Sequence, residues 1–292
     1  MKNRHGLPLD PITCEPTFGQ ILSNRRDVLR LLAGVSLLPL VPAIGCGDDG
    51  GESGPGGDVD AGAGGPDAGA QSDWASGGTA AMTDKSSYPD PFTGALAACA
   101  LVATTTEGPC TTESDLARED VSEGWSGLPV RLALKVVDAS CNPVAGMTVK
   151  IWHTNLEGSY SGQTPNNNMC LQQQDYSSQD FFRGVQTTDA DGTVYFDTCF
   201  PGWYRGRAIH IHFQVKSETE SYRISQLFFP EDITADIFAT HGDYSAYGQP
   251  DTVFTTDNVM SQIPEAQRDR HILTVERMTD GAMLASKVVT VI

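Results

Sequence analysis

Short runs of alternating apolar and polar residues, separated by turn sequences, fill the chain from Leu128 onward and constrain its fold most strongly. The runs PVRLALKVVD, MTVKIWHT, HIHFQV and SKVVTVI alternate with a period of two, and CNPVAG and DADG have the composition of turns. Residues 232–241 and 257–268 are suited only to short helices. The pattern predicts an all-β fold of about seven strands, arranged as a β-sandwich with long loops and at most short helices.

The first 46 residues have the composition of an export signal. The pair Arg25 and Arg26 precedes an apolar run of about fifteen residues, which is too short for a comfortable membrane span. That run ends in AIGC, where small residues precede Cys46 as they do at a lipoprotein cleavage site. We expect residues 1–46 to direct export by the twin-arginine route to the periplasm or cell surface, with membrane attachment through a lipid on Cys46.

The next stretch, residues 47–88, reads as a flexible linker. Its segment GDDGGESGPGGDVDAGAGGPDAGAQSD is rich in glycine and aspartate and holds almost no large apolar residue, so it cannot offset its own ordering entropy. Residues 89–292 then form the folded domain. The whole chain has a formal net charge of −18, which repels a phosphate backbone, and we expect no nucleic-acid partner.

Five cysteines follow the predicted leader: Cys99, Cys110, Cys141, Cys170 and Cys199. In an oxidising compartment this number predicts two disulfides and one remaining thiol, although spacing alone does not fix the pairing. We expect Cys170 to pair with Cys199, because the two bracket a long polar loop and the strand after it.

The run PGWYRGRAIHIHFQV, residues 201–215, contains the first candidate functional side chains. Successive residues of a strand face opposite sides, so His210 and His212 share one face and Ile209 and Ile211 the other. Two histidines at this spacing can converge on one metal ion. A polar sandwich face that happens to include histidines is the plainer interpretation, so the pair by itself decides nothing.

Two tyrosines extend the candidate set. Tyr204 can approach the histidines only if the chain folds back, and Gly206 lies where that turn is needed. Tyr160 follows Gly158 at the end of another predicted strand. Two phenols with two imidazoles suit a hard, strongly acidic ion such as iron(III), which can ionise a phenol whose ordinary pKa is about 10.

Taken together, GSYSG, PGWY, GRAIHIH and SQLFF resemble the intradiol ring-cleavage dioxygenases, the group of protocatechuate and catechol dioxygenases. TTEGPC and FRGVQTTDADG resemble the smaller exported members, and the likeness runs from about Cys99 to Val291. The resemblance implies an all-β sandwich with a prealbumin-like core. It also implies a non-haem Fe(3+) cofactor and the iron ligands Tyr160, Tyr204, His210 and His212.

The same resemblance implies a reaction and two further site residues. A small aromatic diol of the catechol type and O₂ are the expected partners, and the ring opens between its two hydroxyl-bearing carbons to give a muconate-type dicarboxylic acid. Tyr204 takes a proton from the diol, Arg207 stabilises negative charge on the ring, and Gln226 orients it. The particular diol and the oligomeric state stay open. The loop between Tyr204 and His210 is shorter than in the large members of the family.

The remaining candidates receive structural interpretations. His153 is expected to pack inside the fold, His241 and His271 receive no role, and Arg205 is expected to be a solvated surface residue. Trp152 and Trp203 are expected in the core and in a pocket wall, respectively.

Two other classes of protein share part of the pattern. NPVAGMTVKIWH followed by TTDADGTVYF also resembles small exported β-sandwich modules with binding or structural roles, which have no need of the two tyrosines and two histidines. Cupin-type metal enzymes also place two histidines on one strand, but their pattern requires a glutamate four or five residues after the second one. Glu218 lies six residues after His212.

Overall fold

The computed structural model describes residues 73–94, 99, 101–218 and 220–291. The predicted leader and residues 47–72 of the predicted linker lie outside these ranges. Within them the strands are β1 (Pro129–Val137), β2 (Thr148–Trp152), β3 (Arg183–Thr187), β4 (Thr193–Cys199), β5 (His210–Lys216), β6 (Ser221–Phe228), β7 (Thr274–Arg277) and β8 (Met283–Thr290). The fold prediction is confirmed, since strands and loops make up most of the described chain.

Three short α-helices complete the described secondary structure: α1 (Asn167–Cys170), α2 (Glu231–Thr240) and α3 (Glu265–Arg268). Six 3₁₀ turns accompany them, at Gly78–Ala81, Lys85–Ser87, Gln174–Ser178, Ser245–Tyr247, Met260–Gln262 and Asp269–His271. The predicted helix at 232–241 corresponds to α2, and the segment 257–268 divides into a 3₁₀ turn and α3. In the part of the chain described, no helix has the length and apolar character needed to cross a membrane.

Two four-stranded sheets face each other. Sheet A has the order β4-β1-β8-β7, and sheet B has the order β3-β2-β5-β6. Within the two sheets, β1 and β8 pair in parallel, and the other neighbouring strands are antiparallel. The alternation analysis missed β3, because RGVQT is short and its side chains do not alternate between apolar and polar.

The core lies between the sheets and explains the alternation. Leu132 and Leu134 of β1 and Ile211 and Phe213 of β5 are fully buried in one apolar cluster. Burying a side chain of this size contributes roughly 1.5–3 kcal/mol. Because strand side chains alternate, the residues between them, such as His212, project from the outer face of sheet B. The core thereby fixes which face receives the candidate site.

Residues 73–88 belong to the folded domain, which corrects the C-terminal part of the predicted linker. The amide of Ala75 donates to Gly281 O at 2.8 Å, and Lys85 forms an ion pair with Asp197 at 2.5 Å. The hydroxyl of Tyr88 donates to the carboxylate of Asp280. This part of the segment differs from the glycine-rich stretch before it, because it carries aromatic and charged side chains that can be anchored.

Two disulfides are present among the described cysteines, and neither is the expected Cys170–Cys199 pair. Cys99 is bonded to Cys141, Cys110 is bonded to Cys170, and Cys199 is a buried free thiol. The expectation was wrong because Cys199 ends β4 in sheet A, whereas Cys170 ends α1 beyond the outer face of sheet B. Burial raises the pKa of the Cys199 thiol to about 12, so this cysteine is unreactive.

Candidate active site

One row of side chains crosses all four strands of sheet B and forms the floor of the candidate site. Arg183 of β3 is paired in register with Trp152 of β2, Trp152 with His212 of β5, and His212 with Gln226 of β6. Residues opposite one another in paired strands project to the same face. All four side chains therefore share the outer face of sheet B, and all are at most 3% exposed.

Four polar side-chain atoms converge above this row. The Tyr160 hydroxyl oxygen lies 3.2 Å from that of Tyr204, 3.4 Å from His210 Nε2 and 3.1 Å from His212 Nε2. His210 Nε2 lies 3.4 Å from the Tyr204 oxygen and 3.1 Å from His212 Nε2. The structure thus brings together the four residues that the sequence predicted as metal ligands.

Tight turns bring the two tyrosines to the histidines. Gly158, with φ +78°, lies in the turn before Tyr160, and a Cβ atom there would lie 2.1 Å from Trp203 O, so only glycine fits. Gly206, with φ +82°, lies in the turn after Tyr204, where the Arg207 amide donates to Tyr204 O at 3.3 Å. The chain folds back over Gly206 as the sequence predicted.

The histidine rings are oriented by contacts on their far sides. His210 Nδ1 lies 2.6 Å from Ala208 O, so it carries the proton and leaves Nε2 with a free electron pair facing the tyrosines. The ring of His212 stacks on Trp152, with centroids 4.8 Å apart. Burial, and secondarily the neighbouring charges, lower the pKa of both imidazoles well below the ordinary value. Both rings are neutral, the state that binds metal ions.

The phenols need a cation to ionise at this site. Burial raises the pKa of Tyr160 well above its ordinary value, and burial also raises that of Tyr204 against the opposing influence of Arg207. Among the described residues, no group of three or more His, Cys, Asp and Glu side chains is arranged to hold a metal. A metal here therefore depends on the two phenols, and the convergent N₂O₂ set fits iron(III).

A buried polar network holds Arg207 and Gln226 beside the cluster. Arg207 donates to Asp257 at 2.8 Å, to Tyr204 at 3.3 Å and to the side-chain oxygen of Gln226. Gln226 donates in turn to Thr106 O at 3.2 Å. Both predicted residues lie at the site, and Gln226 is fully buried rather than being an exposed strand residue.

Sequence reasoning missed Asp257, which anchors Arg207. Its side chain is 0% exposed, and it accepts hydrogen bonds from Arg207 and from the amides of Ala208, Val259 and Met260, each at 2.8 Å. Its position at the start of the predicted helical segment 257–268 could have indicated the hydrogen bonds that it accepts from the amides of Val259 and Met260. No sequence signal connects it to Arg207, which lies 50 residues earlier.

Sequence reasoning also missed Arg183, a buried cation without a carboxylate. Its guanidinium donates to Ser161 O at 2.9 Å and to Cys110 O at 2.7 Å, and it lies 5.9 Å from the centre of the Tyr160 ring. No hydrogen bond is formed by Nη1 within the described structure. Burial lowers the pKa of Arg183 to about 10. An unpaired buried guanidinium beside a phenol favours the phenolate.

A cavity of about 850 Å³ opens on the cluster. Tyr204 and Arg207 line it, together with Gly108, Pro109 and Cys110 of the TTEGPC segment. Tyr160 is buried behind them and is not among the residues that form the wall. The two tyrosines therefore differ in access, since Tyr204 lines the cavity and Tyr160 does not.

The structural interpretations of the other residues mostly agree with the structure. His153 is fully buried and bonded to Thr198, and its pKa is lowered to about 3 by burial. Trp152 is buried as expected but stacks on His212, and Arg205 is exposed as expected but lines the cavity. Trp203 does not line the cavity. It packs against the core and donates to Gly248 O at 3.0 Å.

Two residues without an assigned role have structural ones. His241 contacts Ala75 O at 2.9 Å and so helps to anchor the N-terminal segment. His271 is buried and contacts Gln226 O at 3.1 Å, behind the floor of the site. Glu218 lies beyond the end of β5 and is exposed, so the cupin pattern has no counterpart here.

The fold and the site together define a β-sandwich that carries a buried cluster of two phenols and two imidazoles at the mouth of a cavity. The family model described as Dioxygenase matches residues 105–284, which is more than half of the chain. The chain belongs to the intradiol ring-cleavage dioxygenase family, whose members are non-haem iron(III) enzymes.

Solved structures are similar to this one. The intradiol ring-cleavage dioxygenase from Tetranychus urticae is 26% identical, with a TM-score of 0.58, and the match covers 66% of this chain and 95% of that one. The dioxygenase domain of a dioxygenase carbohydrate-binding protein fusion from Streptomyces sp. SirexAA-E is 21% identical, with a TM-score of 0.47, over 66% of this chain and 100% of that one. No curated protein matches the chain by sequence.

Proposed function

We propose that this protein is an iron(III)-dependent dioxygenase that opens a catechol-type ring between its two hydroxyl-bearing carbons and produces a muconate-type dicarboxylic acid. The observation that carries the proposal is the convergence of Tyr160, Tyr204, His210 and His212, with neighbouring donor atoms 3.1–3.4 Å apart. Ligands bound at about 2.1 Å to one metal lie about 3 Å apart when their bonds are perpendicular. A binding or structural module has no need of such a buried set.

When bound, iron(III) supplies a strongly acidic centre that ionises the diol and makes the ring reactive towards O₂. Tyr160, His210 and His212 are the fixed ligands, because each is at most 4% exposed. Tyr204 faces the cavity, and its oxygen is placed to take a proton from an incoming diol hydroxyl. Arg207, 3.3 Å from that oxygen, favours its negatively charged form until the proton arrives.

Arg207 acts on the bound ring, and Gln226, buried behind it, helps to orient the ring through Arg207. The guanidinium of Arg207 is always charged, lines the cavity and is held from behind by Asp257, so it can stabilise negative charge that develops on the ring. Gln226 accepts from Arg207 and donates to Thr106 O, and these two hydrogen bonds restrict the position of the Arg207 guanidinium. Trp152 and Gly108 pack against His212 and exclude water from that side.

Export by the twin-arginine route with a lipid on Cys46 belongs to the same proposal. The two disulfides, Cys99–Cys141 and Cys110–Cys170, support an oxidising location such as the periplasm or cell surface. The test compares the full chain with its Cys46→Ala variant. Electrophoretic mobility and partitioning between aqueous and apolar solvent report the lipid, and cell fractionation reports where each protein is located. A chain that stays in the cytoplasm would contradict this part of the proposal.

The iron assignment is tested by colour. We expect the iron-loaded protein to absorb visible light through charge transfer from tyrosinate to iron(III), and Tyr160→Phe and Tyr204→Phe each to weaken and shift the band. Tyr195→Phe, on the outer face of sheet A, is the matched control and should leave the band unchanged. A colourless protein with full iron occupancy would overturn the ligand assignment.

The reaction is tested with ¹⁸O-labelled O₂ and a panel of catechols. We expect oxygen uptake, and a dicarboxylic acid that contains both atoms of one O₂ molecule. Tyr204→Phe should slow turnover by about 10²-fold or more, which is the lower range for removing a positioned acid or base. If the iron-loaded protein binds catechols and converts none of them, the enzyme proposal is wrong.

A further inference from the structure

The cavity beside the candidate metal cluster is much larger than one catechol ring. Its volume is about 850 Å³, whereas pockets that enclose drug-sized ligands span roughly 300–1,000 Å³. A catechol has eight non-hydrogen atoms, so it occupies only the end of the cavity that Tyr204 and Arg207 line. The remaining space is available to a substituent on the ring.

The wall of that space combines polar side chains, among them Thr104, Gln172 and Asn258, with a group of apolar residues. Val259, Ile263 and Pro264, from the segment that follows Asp257, form part of one wall, and Pro109 lines the cavity as well. Met169, next to the Cys110–Cys170 disulfide, also lines it and is 64% exposed. An extended apolar substituent would cover the exposed surfaces of Met169, Pro109 and Pro264, and apolar burial contributes about 25 cal/mol per Å².

The charge of the cavity is opposite to that of the chain. The formal net charge of the chain is −18, yet among the described residues the cavity wall contains two arginines and no aspartate or glutamate. A neighbouring polar groove contains acids of both kinds, Glu107, Glu113, Asp115 and Asp180. The absence of acids from the cavity wall is therefore a local property that favours an anionic ligand.

The two cavity arginines differ in how their charges are compensated. Arg207 is paired with the fully buried carboxylate of Asp257. Arg205 is exposed, and within the described ranges it forms no ion pair. Gly206 separates the two, and a Cβ atom there would meet nothing within 4 Å. The charge of Arg205 is thus the one available to a ligand.

We propose that the substrates are catechols in which an apolar arm connects the ring to an anionic group, and that Arg205 binds this group. The inference rests on the proposed ring-cleaving function and specifies its substrate class. The diol end lies at Tyr204 and Arg207, the arm lies along Val259 and Ile263, and the anion lies at Arg205. Arg205 is then a specificity-determining residue rather than a solvated surface arginine.

The test uses the iron-loaded full chain and three probes: 4-methylcatechol, 3-(3,4-dihydroxyphenyl)propanoate and the methyl ester of that acid. We expect kcat/KM for the acid to exceed that for the ester by about fivefold, near the upper limit for an exposed ion pair. Dissociation constants measured without O₂, from the change in the visible band, should show the same preference. Added salt should reduce it.

Arg205→Gln should remove the preference of acid over ester, and Arg205→Lys should retain most of it. Arg277→Gln, which removes one exposed cation outside the cavity wall, is the matched control and should leave the preference intact. Equal kcat/KM and equal affinity for acid and ester in the wild type would overturn the substrate class while leaving ring cleavage established. If none of the three probes is bound or converted, both the substrate class and the proposed function are overturned.

Discussion

Arg131 on the outer face of sheet A and Arg183 on the outer face of sheet B differ in how their charges are compensated. On sheet A, Arg131 is paired with Asp197 at 2.6 Å and with Glu119 at 2.8 Å, and Lys85 from the N-terminal segment contacts the same two carboxylates. On sheet B, Arg183 is buried with no carboxylate partner within the described structure. The comparison identifies Arg183 as a buried charge that the described part of the protein leaves without a carboxylate.

The physical reason lies in the cost of burying charge. An unpaired buried cation is unfavourable by several kcal/mol unless hydrogen bonds and an anion offset it. The carbonyl groups of Ser161 and Cys110 partly solvate Arg183, and a Tyr160 phenolate would supply the missing negative charge. The charge of Arg131 is compensated by the protein itself, whereas a bound cation that ionises Tyr160 would complete the compensation of Arg183.

The largest expected effect comes from removing each of the two disulfides in turn. They close loops of 60 and 42 residues, so the chain-entropy model gives each about 4 kcal/mol of stability. Only Cys110–Cys170 touches the site, because Cys170 O accepts from the Tyr160 amide and Cys110 O accepts from Arg183.

We therefore expect the double variant Cys110→Ala/Cys170→Ala to lose about 4 kcal/mol and at least about tenfold in iron affinity. Cys99→Ala/Cys141→Ala is the matched control and should lose similar stability with little change in iron binding. Urea unfolding and iron titration measure the two quantities. An equal loss of iron affinity in both variants would show that the Cys110–Cys170 disulfide has no specific role at the site.

An effect of intermediate size is expected on stability, where the loss caused by replacing Asp257 should exceed the loss caused by replacing Asp197. Asp257→Ala leaves Arg207 without a carboxylate, and we expect it to destabilise the protein by about 3 kcal/mol. Asp197→Ala leaves Arg131 paired with Glu119, and we expect about half that loss. Chemical unfolding measures both. Equal losses would contradict the difference in compensation.

The same two variants are also expected to differ in catalytic activity. Because Asp257 holds Arg207, Asp257→Ala should lower kcat for catechol cleavage by about tenfold or more, whereas Asp197→Ala should leave kcat unchanged. Asp257→Asn retains the shape of the side chain and should recover part of the loss. Steady-state kinetics with the folded variants provide the measurement, and unchanged kcat in Asp257→Ala would exclude a positioning role.

The smallest expected effect is on the pH dependence of stability, through the ion pairs of sheet A. Burial raises the pKa of Glu119, but hydrogen bonds from Arg131 and Lys85 outweigh it and leave the pKa below the ordinary value of 4.5. The unfolded chain then binds this proton more readily, so the contribution of Glu119 is present above about pH 4.5 and is lost as the pH falls through the lowered pKa.

Since Glu119 is 46% exposed, we expect this contribution to be at most about 1 kcal/mol. Glu119→Gln should reduce the loss of unfolding free energy between neutral pH and about pH 3.5 by that amount. Glu276→Gln, an exposed change on β7, is the control. An identical pH dependence in wild type and Glu119→Gln would contradict the assignment.

The sequence predicted the parts that repeat with a period of two or that follow a turn residue. The alternation in β5 placed His210 and His212 on one face, and Gly206 indicated that Tyr204 folds back to them. It did not predict β3, because RGVQT lacks the alternation, and so it missed that Arg183 joins the floor of the site. It paired Cys170 wrongly, because spacing along the chain carries no information about which loops meet in space.

The pairing of Arg183, Trp152, His212 and Gln226 across sheet B ties the candidate site to the register of the strands. A slip of one residue of β5 against β2 and β6 would turn His210 and His212 towards the core and expose Ile211 instead. Such a chain has nearly the same secondary structure, but it cannot assemble the four donors. Under the proposed function, iron uptake is therefore expected to report strand alignment more selectively than any measure of strand content.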